Sequence, residues 1–346
     1  MAIKKISIET FLGLISTCPV FDVRSPGEYG HAHIPGVYSL PLFLDEERAR
    51  VGTLYKQQGK ERAIKEGLDF FGPRMRSMVE YVEKTLRQNK YESKQIIVHC
   101  WRGGMRSAGV AWLLDLYGYE VSVVVGGYKA FRRWVLNSFE NKYDFKILGG
   151  YTGTGKTEII QEIKSCDEQI IDLEQLASHR GSAFGAIGQP PQPTQEMFEN
   201  KLALFLLRLD ANRPCWLEDE SQRIGKLNIP HALWKTIRSM PVYFVEMQAE
   251  RRLEYIIEHY GMFSKEQLGA AIERIRQKLG GLETKNALLF LEEGNIRECF
   301  RILLAYYDKL YLKSLGQREE LSSLLHKIEV KDEGLKEIAK KLIESR

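Results

Sequence analysis

Between the apolar run Phe145-Lys146-Ile147-Leu148 and a helix-like segment running from Lys156 to Ile163 lies the stretch GGYTGTGKT, Gly149 to Thr157. Four residues separate Gly150 from Gly155-Lys156-Thr157, which is the spacing of a phosphate-binding loop. Such a loop works only between a strand and the N-terminus of a helix, so it commits this part of the chain to an α/β fold. Gly150, Gly153 and Gly155 let successive backbone N–H groups turn inward on an anion. Lys156 supplies a point charge to terminal phosphates, and Thr157 is placed to bind Mg²⁺ where a metal is present. The loop predicts docking of a diphosphate-like group. It does not predict nucleotide hydrolysis.

Around it the pattern continues as α/β. Strands are expected at Gln169–Leu173, Cys215–Glu218 and Val242–Met247, and QPPQPT, Gln189 to Thr194, reads as a loop or a helix approach. Beyond Glu250, Leu, Ile and Tyr recur at three- and four-residue spacing through Leu315, which predicts a helical C-terminal part. Asp172, Glu218, Asp219 and Glu220 stand at expected strand ends, and Arg180 lies in HRGSAFG. Each is a candidate to orient a ligand or metal at the phosphate loop, against the plainer reading of a solvated loop charge. The sequence leaves the metal itself undetermined.

A second glycine-rich turn stands in the N-terminal half. HCWRGGMRS, His99 to Ser107, follows the apolar Ile96-Ile97-Val98 and precedes a helical segment reaching Tyr117. A thiol is nucleophilic only as thiolate, and an ordinary thiol is mostly protonated near neutral pH. A loop that wraps backbone N–H groups around Cys100, opens onto a helix N-terminus and carries Arg102 and Arg106 stabilises that anion. Gly103 and Gly104 make the tight turn, and the same loop would hold an incoming oxyanion. A buried inert cysteine is the plain alternative, but inertness does not call for two glycines and two arginines. The other cysteines, Cys18, Cys166, Cys215 and Cys299, are scattered and fit neither a disulfide framework nor a zinc pattern.

Strands at Val20–Val23, Tyr38–Pro41, Ile96–Val98 and Val121–Val124 again alternate with helical segments, including the charged Asp45–Lys65, and predict a mainly parallel sheet. A chain of 346 residues is long for one core, and the short aromatic and charged stretch Phe131–Tyr143 separates the two patterns. The expected division is therefore residues 1–140 with the cysteine loop and residues 141–346 with the phosphate loop and helical extension. The net charge of +4 permits an anionic partner without demanding one. MAIKKISIET lacks the apolar core of a signal peptide and no run reaches membrane-spanning length, so a cytoplasmic protein without a membrane partner is expected.

FDVRSPGEYGHAHIPGVYSLP, Phe21 to Pro41, and HCWRGGMRS together resemble a rhodanese (sulfurtransferase) domain. Arg106 stands six residues after Cys100, one more than in the commonest rhodanese loop and the spacing of cysteine phosphatases. A sulfurtransferase or phosphatase with an appended nucleotide-binding domain therefore stays open, as does a non-enzymatic scaffold. With DEERARVGTLYKQQGKERAI in the first half and DLEQLASHRGSAFG and EDESQRIG in the second, the chain closely resembles the tRNA 2-selenouridine synthase family. The resemblance implies a rhodanese-like domain joined to a P-loop NTPase-like domain. It also implies a transferase acting on 2-thiouridine in the anticodon loop of tRNA. The sulfur would be S-geranylated from geranyl diphosphate and then replaced by selenium from selenophosphate, through S-selanylcysteine at Cys100. No tightly bound cofactor is implied, with Mg²⁺ left open. Trp101 is a bulky residue to find inside the cysteine loop.

That chemistry explains two anion loops. A 2-thio group leaves poorly until alkylation makes it a thioether on an electron-poor carbon. The first step then needs a clamp on departing diphosphate, and the second a soft nucleophile. Contacts to RNA phosphates would come from Arg48, Arg50, Lys56, Lys60, Arg62 and Lys65, with Arg132 and Arg133; interspersed Asp45, Glu46, Glu47, Glu61 and Glu66 also suit an ordinary salt-bridged surface helix.

Overall fold

The computed structural model describes residues 3–345. It divides into two compact units, Met1–Ser138 with Glu199–Leu204, and Phe139–Phe198 with Phe205–Arg346. The first is built on five parallel strands: β1 (Lys4–Ile6), β2 (Val20–Asp22), β3 (Tyr38–Ser39), β4 (Gln95–His99) and β5 (Glu120–Val124), in the order β1-β5-β4-β2-β3. β4 lies at the centre because Ile96, Ile97 and Val98 are apolar without alternation, which suits a strand covered on both faces. The helices Met75–Gln88 and Met105–Tyr117 bury Met78, Val82, Val110 and Leu114 in its core.

The charged Asp45–Lys65 stretch is two helices, Asp45–Gln58 and Lys60–Phe71. Gly59, with φ +87° and ψ 176°, occupies a conformation that only glycine adopts readily and breaks them apart. Phe131 and Val135, in the stretch expected to separate the domains, are buried residues of the helix Gly127–Ser138.

The second unit carries β6 (Phe145–Gly150), β7 (Gln169–Ile171), β8 (Cys215–Glu218), the hairpin β9 (Arg223–Ile224) and β10 (Leu227–Asn228), β11 (Val242–Met247) and β12 (Leu325–Val330). Its main sheet is parallel, in the order β12-β11-β6-β8-β7. β6 is central, so the phosphate loop leaves the middle of the sheet. β7 and β8 end on the same edge, where ligands of open parallel sheets bind.

The helical C-terminal part packs as the helices Ala249–Tyr260, Lys265–Leu279, Gly281–Glu292 and Ile296–Leu315 around Leu253, Ile272, Leu291, Phe300 and Leu303. The chain then returns to the sheet as β12, and the helix Leu335–Glu344 buries Ile338, Ala339 and Leu342 with Ile159, Ile160 and Ile163. No helix among the described residues is long and apolar enough to cross a membrane.

Candidate functional site

β4 carries Cys100 at its C-terminal end, where the residue is 3% exposed. The chain turns through Trp101–Gly104 into the helix Met105–Tyr117, so the sulfur faces a helix N-terminus. The Gly104 N–H donates to Sγ at 3.3 Å, and Ser107 Oγ lies 3.3 Å from it. Burial pushes the thiol upward. The Ser107 hydroxyl and the backbone N–H groups of Ser107, Arg102 and Gly104 outweigh that, and Cys100 lies below an ordinary thiol. Cys18 and Cys299 lack such donors, and burial pushes them up to about 11; Cys215 is raised further. Cys100 is the thiol whose surroundings favour the nucleophilic form.

The turn after β5 holds this loop in shape. Tyr128 and Lys129 N–H groups donate to the carbonyls of Cys100 and Trp101, each at 2.9 Å. The approach is close enough to require glycine: a Cβ on Gly127, at φ +54°, would lie 2.2 Å from the Cys100 carbonyl oxygen. Beneath, Arg24 Nε and Nη2 fork onto Asp22 at 2.9 and 2.6 Å, both side chains fully buried. The Arg24 guanidinium lies 3.7 Å from the centre of the Tyr128 ring, and Trp101 packs against both. Arg106 is not directed at the sulfur: its Nη1 donates to Glu28 Oε2 at 2.6 Å. Arg102 is exposed, and of the residues expected to cradle an anion Arg102 and Gly104 reach the sulfur, through their backbone N–H groups.

At the phosphate loop, Gly153 and Gly155 have φ of +83° and +71°. Lys156 Nζ is turned back to donate to the carbonyls of Gly150 (2.9 Å) and Tyr151 (3.4 Å), and the Thr157 hydroxyl donates to Glu174 Oε2 at 3.4 Å. These residues line a cavity of about 360 Å³ with Arg180, Gly181, Glu218, Glu220, Tyr255 and Tyr260. Burial, opposed by Lys156 and assisted by Asp172, pushes Glu174 up to about 7. Burial and the neighbouring Glu174 push Glu218 up to about 8, and burial with both of these raises Glu220. A smaller recess of about 40 Å³ shares Thr152, Ser182, Ile256, Tyr260 and Tyr307 with the cavity and is otherwise walled by Phe184, Phe300, Leu303 and Leu304.

Two of the charged candidates beside the loop have structural employment. Asp172 caps the helix Leu173–Ala177, accepting from the Gln175 N–H at 2.8 Å and from Gln161 Nε2 at 3.0 Å. Asp219 accepts from Arg318 Nη2 at 2.5 Å and from the Tyr311 hydroxyl at 2.8 Å, and the Gly150 N–H in turn donates to Tyr311 at 3.2 Å.

The family described as a tRNA 2-selenouridine synthase AAA domain matches residues 143–333, and that described as a rhodanese-like domain matches residues 7–133. A tRNA 2-selenouridine synthase of Bdellovibrio bacteriovorus is 32% identical over 368 residues, covering 92% of this chain and 94% of its own. Those of Hahella chejuensis and Cupriavidus pinatubonensis are 34% and 38% identical, over 90% and 76% of this chain and 89% and 70% of theirs. The chain belongs to the tRNA 2-selenouridine synthase family.

In this member of the tRNA 2-selenouridine synthase family, several residues at the two sites escape a reading of the sequence. Glu174 faces the cavity beside the strand-end candidates Glu218 and Glu220, and Tyr311 and Arg318 arrive from the far helical region. The motif FDVRSPGEYG supplies Asp22, Arg24 and Glu28 as supports of the cysteine loop. Among the basic candidates, Arg50 pairs with Glu66 at 2.5 Å, Arg48 lies 3.5 Å from Glu28, and Arg132 pairs with Glu199 of its own unit at 2.5 Å. Lys56, Lys60 and Lys65 are exposed, with no ion pair among the described residues.

Proposed function

We propose that the protein converts 2-thiouridine at the wobble position of tRNA to 2-selenouridine in two steps. The observation that carries this reading is the pairing of two chemically unlike anion sites in one chain. One holds a thiol favoured as thiolate, Cys100, and the other a phosphate loop opening into a cavity. In the first step the 2-thio sulfur attacks the allylic carbon of geranyl diphosphate, the C–O bond breaks and diphosphate leaves. Loop N–H groups and Lys156, released from its own carbonyls, would take up that charge. The apolar recess bounded by Phe184, Phe300 and Leu303 is where a prenyl chain would escape water.

In the second step Cys100 thiolate takes selenium from selenophosphate. Written so that electrons balance, attack on selenium leaves the Se–P pair on phosphorus, giving phosphite and S-selanylcysteine. The terminal selenium then attacks C2 of the uridine and geranyl thiolate departs. A small thiol attacks the Cys100 sulfur, expelling the selenium-bearing base and leaving a mixed disulfide. A second thiol reduces that disulfide, which restores Cys100 and releases the thiol's disulfide. The test is nucleoside analysis of tRNA incubated with purified protein, geranyl diphosphate, selenophosphate and thiol. 2-Selenouridine and transient S-geranyl-2-thiouridine are expected; their absence, with phosphate or thiosulfate turned over instead, would establish the phosphatase or sulfurtransferase reading. Phosphate in place of phosphite, with no mass gain on Cys100, would replace the S-selanylcysteine route by direct displacement.

A further inference from the structure

The rim around Cys100 is made by two turns, residues 100–106 and 124–133, that bear on each other through the main chain. Gly103, at φ +65°, comes so near that a Cβ there would lie 2.4 Å from the Val124 carbonyl oxygen. The Lys129 N–H donates to the Trp101 carbonyl at 2.9 Å. These turns carry Arg102, Arg106, Lys129, Arg132 and Arg133 and no carboxylate, in a chain whose charges nearly balance. Arg106 and Arg132 are occupied by Glu28 and Glu199. Arg102, Lys129 and Arg133 are exposed and have no ion-pair partner among the described residues. Unpaired cations gathered at a mouth draw in an anion, and three spread over two turns suit a chain of phosphates better than one small ion.

A second, independent observation is Trp101. Its ring packs on Tyr128 at 5.5 Å between centroids, with the Arg24 guanidinium 5.8 Å from its centre, yet 36% of the residue stays exposed. Both neighbours are themselves fixed, Arg24 by its fork onto Asp22 and Tyr128 by the Asn200 amide at 2.9 Å. The indole is therefore held in place before anything binds, which lowers the cost of ordering it. A held aromatic face directly after the nucleophile is a stacking platform, and every base has a face to offer it. A base that reacts at Cys100 must also leave its own stack, which costs least in an unpaired loop. We propose that this rim binds the unpaired loop of an RNA, with the reacting base laid on Trp101 and flanking phosphates taken by Arg102, Lys129 and Arg133. The identity of the base as the one that reacts rests on the function proposed above; the binding surface does not.

The experiment uses the full-length protein and a fluorescent RNA stem-loop with 2-thiouridine in its loop. Trp101→Ala should weaken binding by about 5- to 100-fold, the worth of one stacked base, and Trp101→Phe should restore most of it. Neither should change the slope of log affinity against log salt. Lys129→Ala combined with Arg133→Ala should lower that slope by about 1–2, because two phosphate contacts are lost. Circular dichroism checks the folding of each variant. If Trp101→Ala fails it, 5-iodouridine placed in the loop of the same RNA and irradiated with the wild type should crosslink to Trp101, read by mass spectrometry. Unchanged affinity in folded Trp101→Ala, or a crosslink confined to another residue, would overturn the platform. An unchanged slope would overturn the phosphate contacts. A wild type that binds no stem-loop would overturn the whole surface and leave its cations to an acidic protein. Binding and crosslinking at Trp101 without formation of 2-selenouridine would uphold the surface and overturn the proposed function. Formation of 2-selenouridine while the variants bind like the wild type would do the reverse.

Discussion

Cys100 is set apart from the other thiols by its donors, since burial alone would raise it as it raises Cys18 and Cys215. Thiolate absorbance at 240 nm, taken as wild type minus Cys100→Ser, should therefore titrate with a midpoint below that of an ordinary thiol. The sign for stability follows: a folded state that favours thiolate gains from this group above the ordinary thiol pKa. It loses that gain as pH falls through the lowered value. Ser107→Ala removes a hydrogen bond to a charged group, about 1.5–3 kcal/mol, which should move the midpoint up by about one to two pH units. An unmoved midpoint would assign the effect to the backbone and the helix N-terminus. Cys100 and Lys156 were legible in the sequence because each lies in a contiguous loop whose chemistry is local. Arg106 was legible as a charge, but its bond to Glu28 was not, because that partner comes from another helix far along the chain. Glu174, Tyr311 and Arg318 were hidden for the same reason: the fold, which no local pattern encodes, brings them to the loop from distant parts of the chain.

At the scale of elements, the parallel strands with unbroken apolar runs were readable, since burial on both faces leaves a composition signal. β12 was not: Leu325–Val330 is a half-exposed edge strand with charged residues, and only its pairing with β11 defines it. Two glycines test how far backbone geometry shapes the first unit. Around Gly59 there is open space, so Gly59→Ala should cost strain alone, about 1–3 kcal/mol. Gly127→Ala meets strain and the Cys100 carbonyl together and should cost about 3 kcal/mol or more. Urea midpoints at constant slope measure both, and equal costs would mean that the cysteine loop does not rest on the Gly127 turn. The helix pair around Gly59 also carries Lys56, Lys60 and Lys65 without ion-pair partners among the described residues. Changing all three to Glu should weaken tRNA binding and flatten the dependence of log affinity on log salt, because fewer counterions are released. Unchanged affinity with an unchanged slope would place the RNA surface elsewhere.

For the whole molecule, the decisive property is that the thiol and the phosphate loop belong to separate units, each with its own sheet and core. In the proposed two-step reaction, the step that needs a leaving-group clamp and the step that needs a soft nucleophile would then have different environments, and they should fail separately. Cys100→Ser should leave geranyl transfer intact and accumulate S-geranyl-2-thiouridine tRNA. Lys156→Ala should lower geranyl transfer by about 10²–10³-fold, the scale of one lost anion-stabilising contact. It should still convert tRNA supplied already geranylated. Because the proposed geranylated base would be a stable covalent product, mixing the two variants should restore 2-selenouridine, at a rate that rises with the concentration of each. Both half-reactions are read from digested tRNA by mass spectrometry. Loss of both in either folded variant would show that the two anion sites act as one, and the division of labour argued from their separate folds would be wrong.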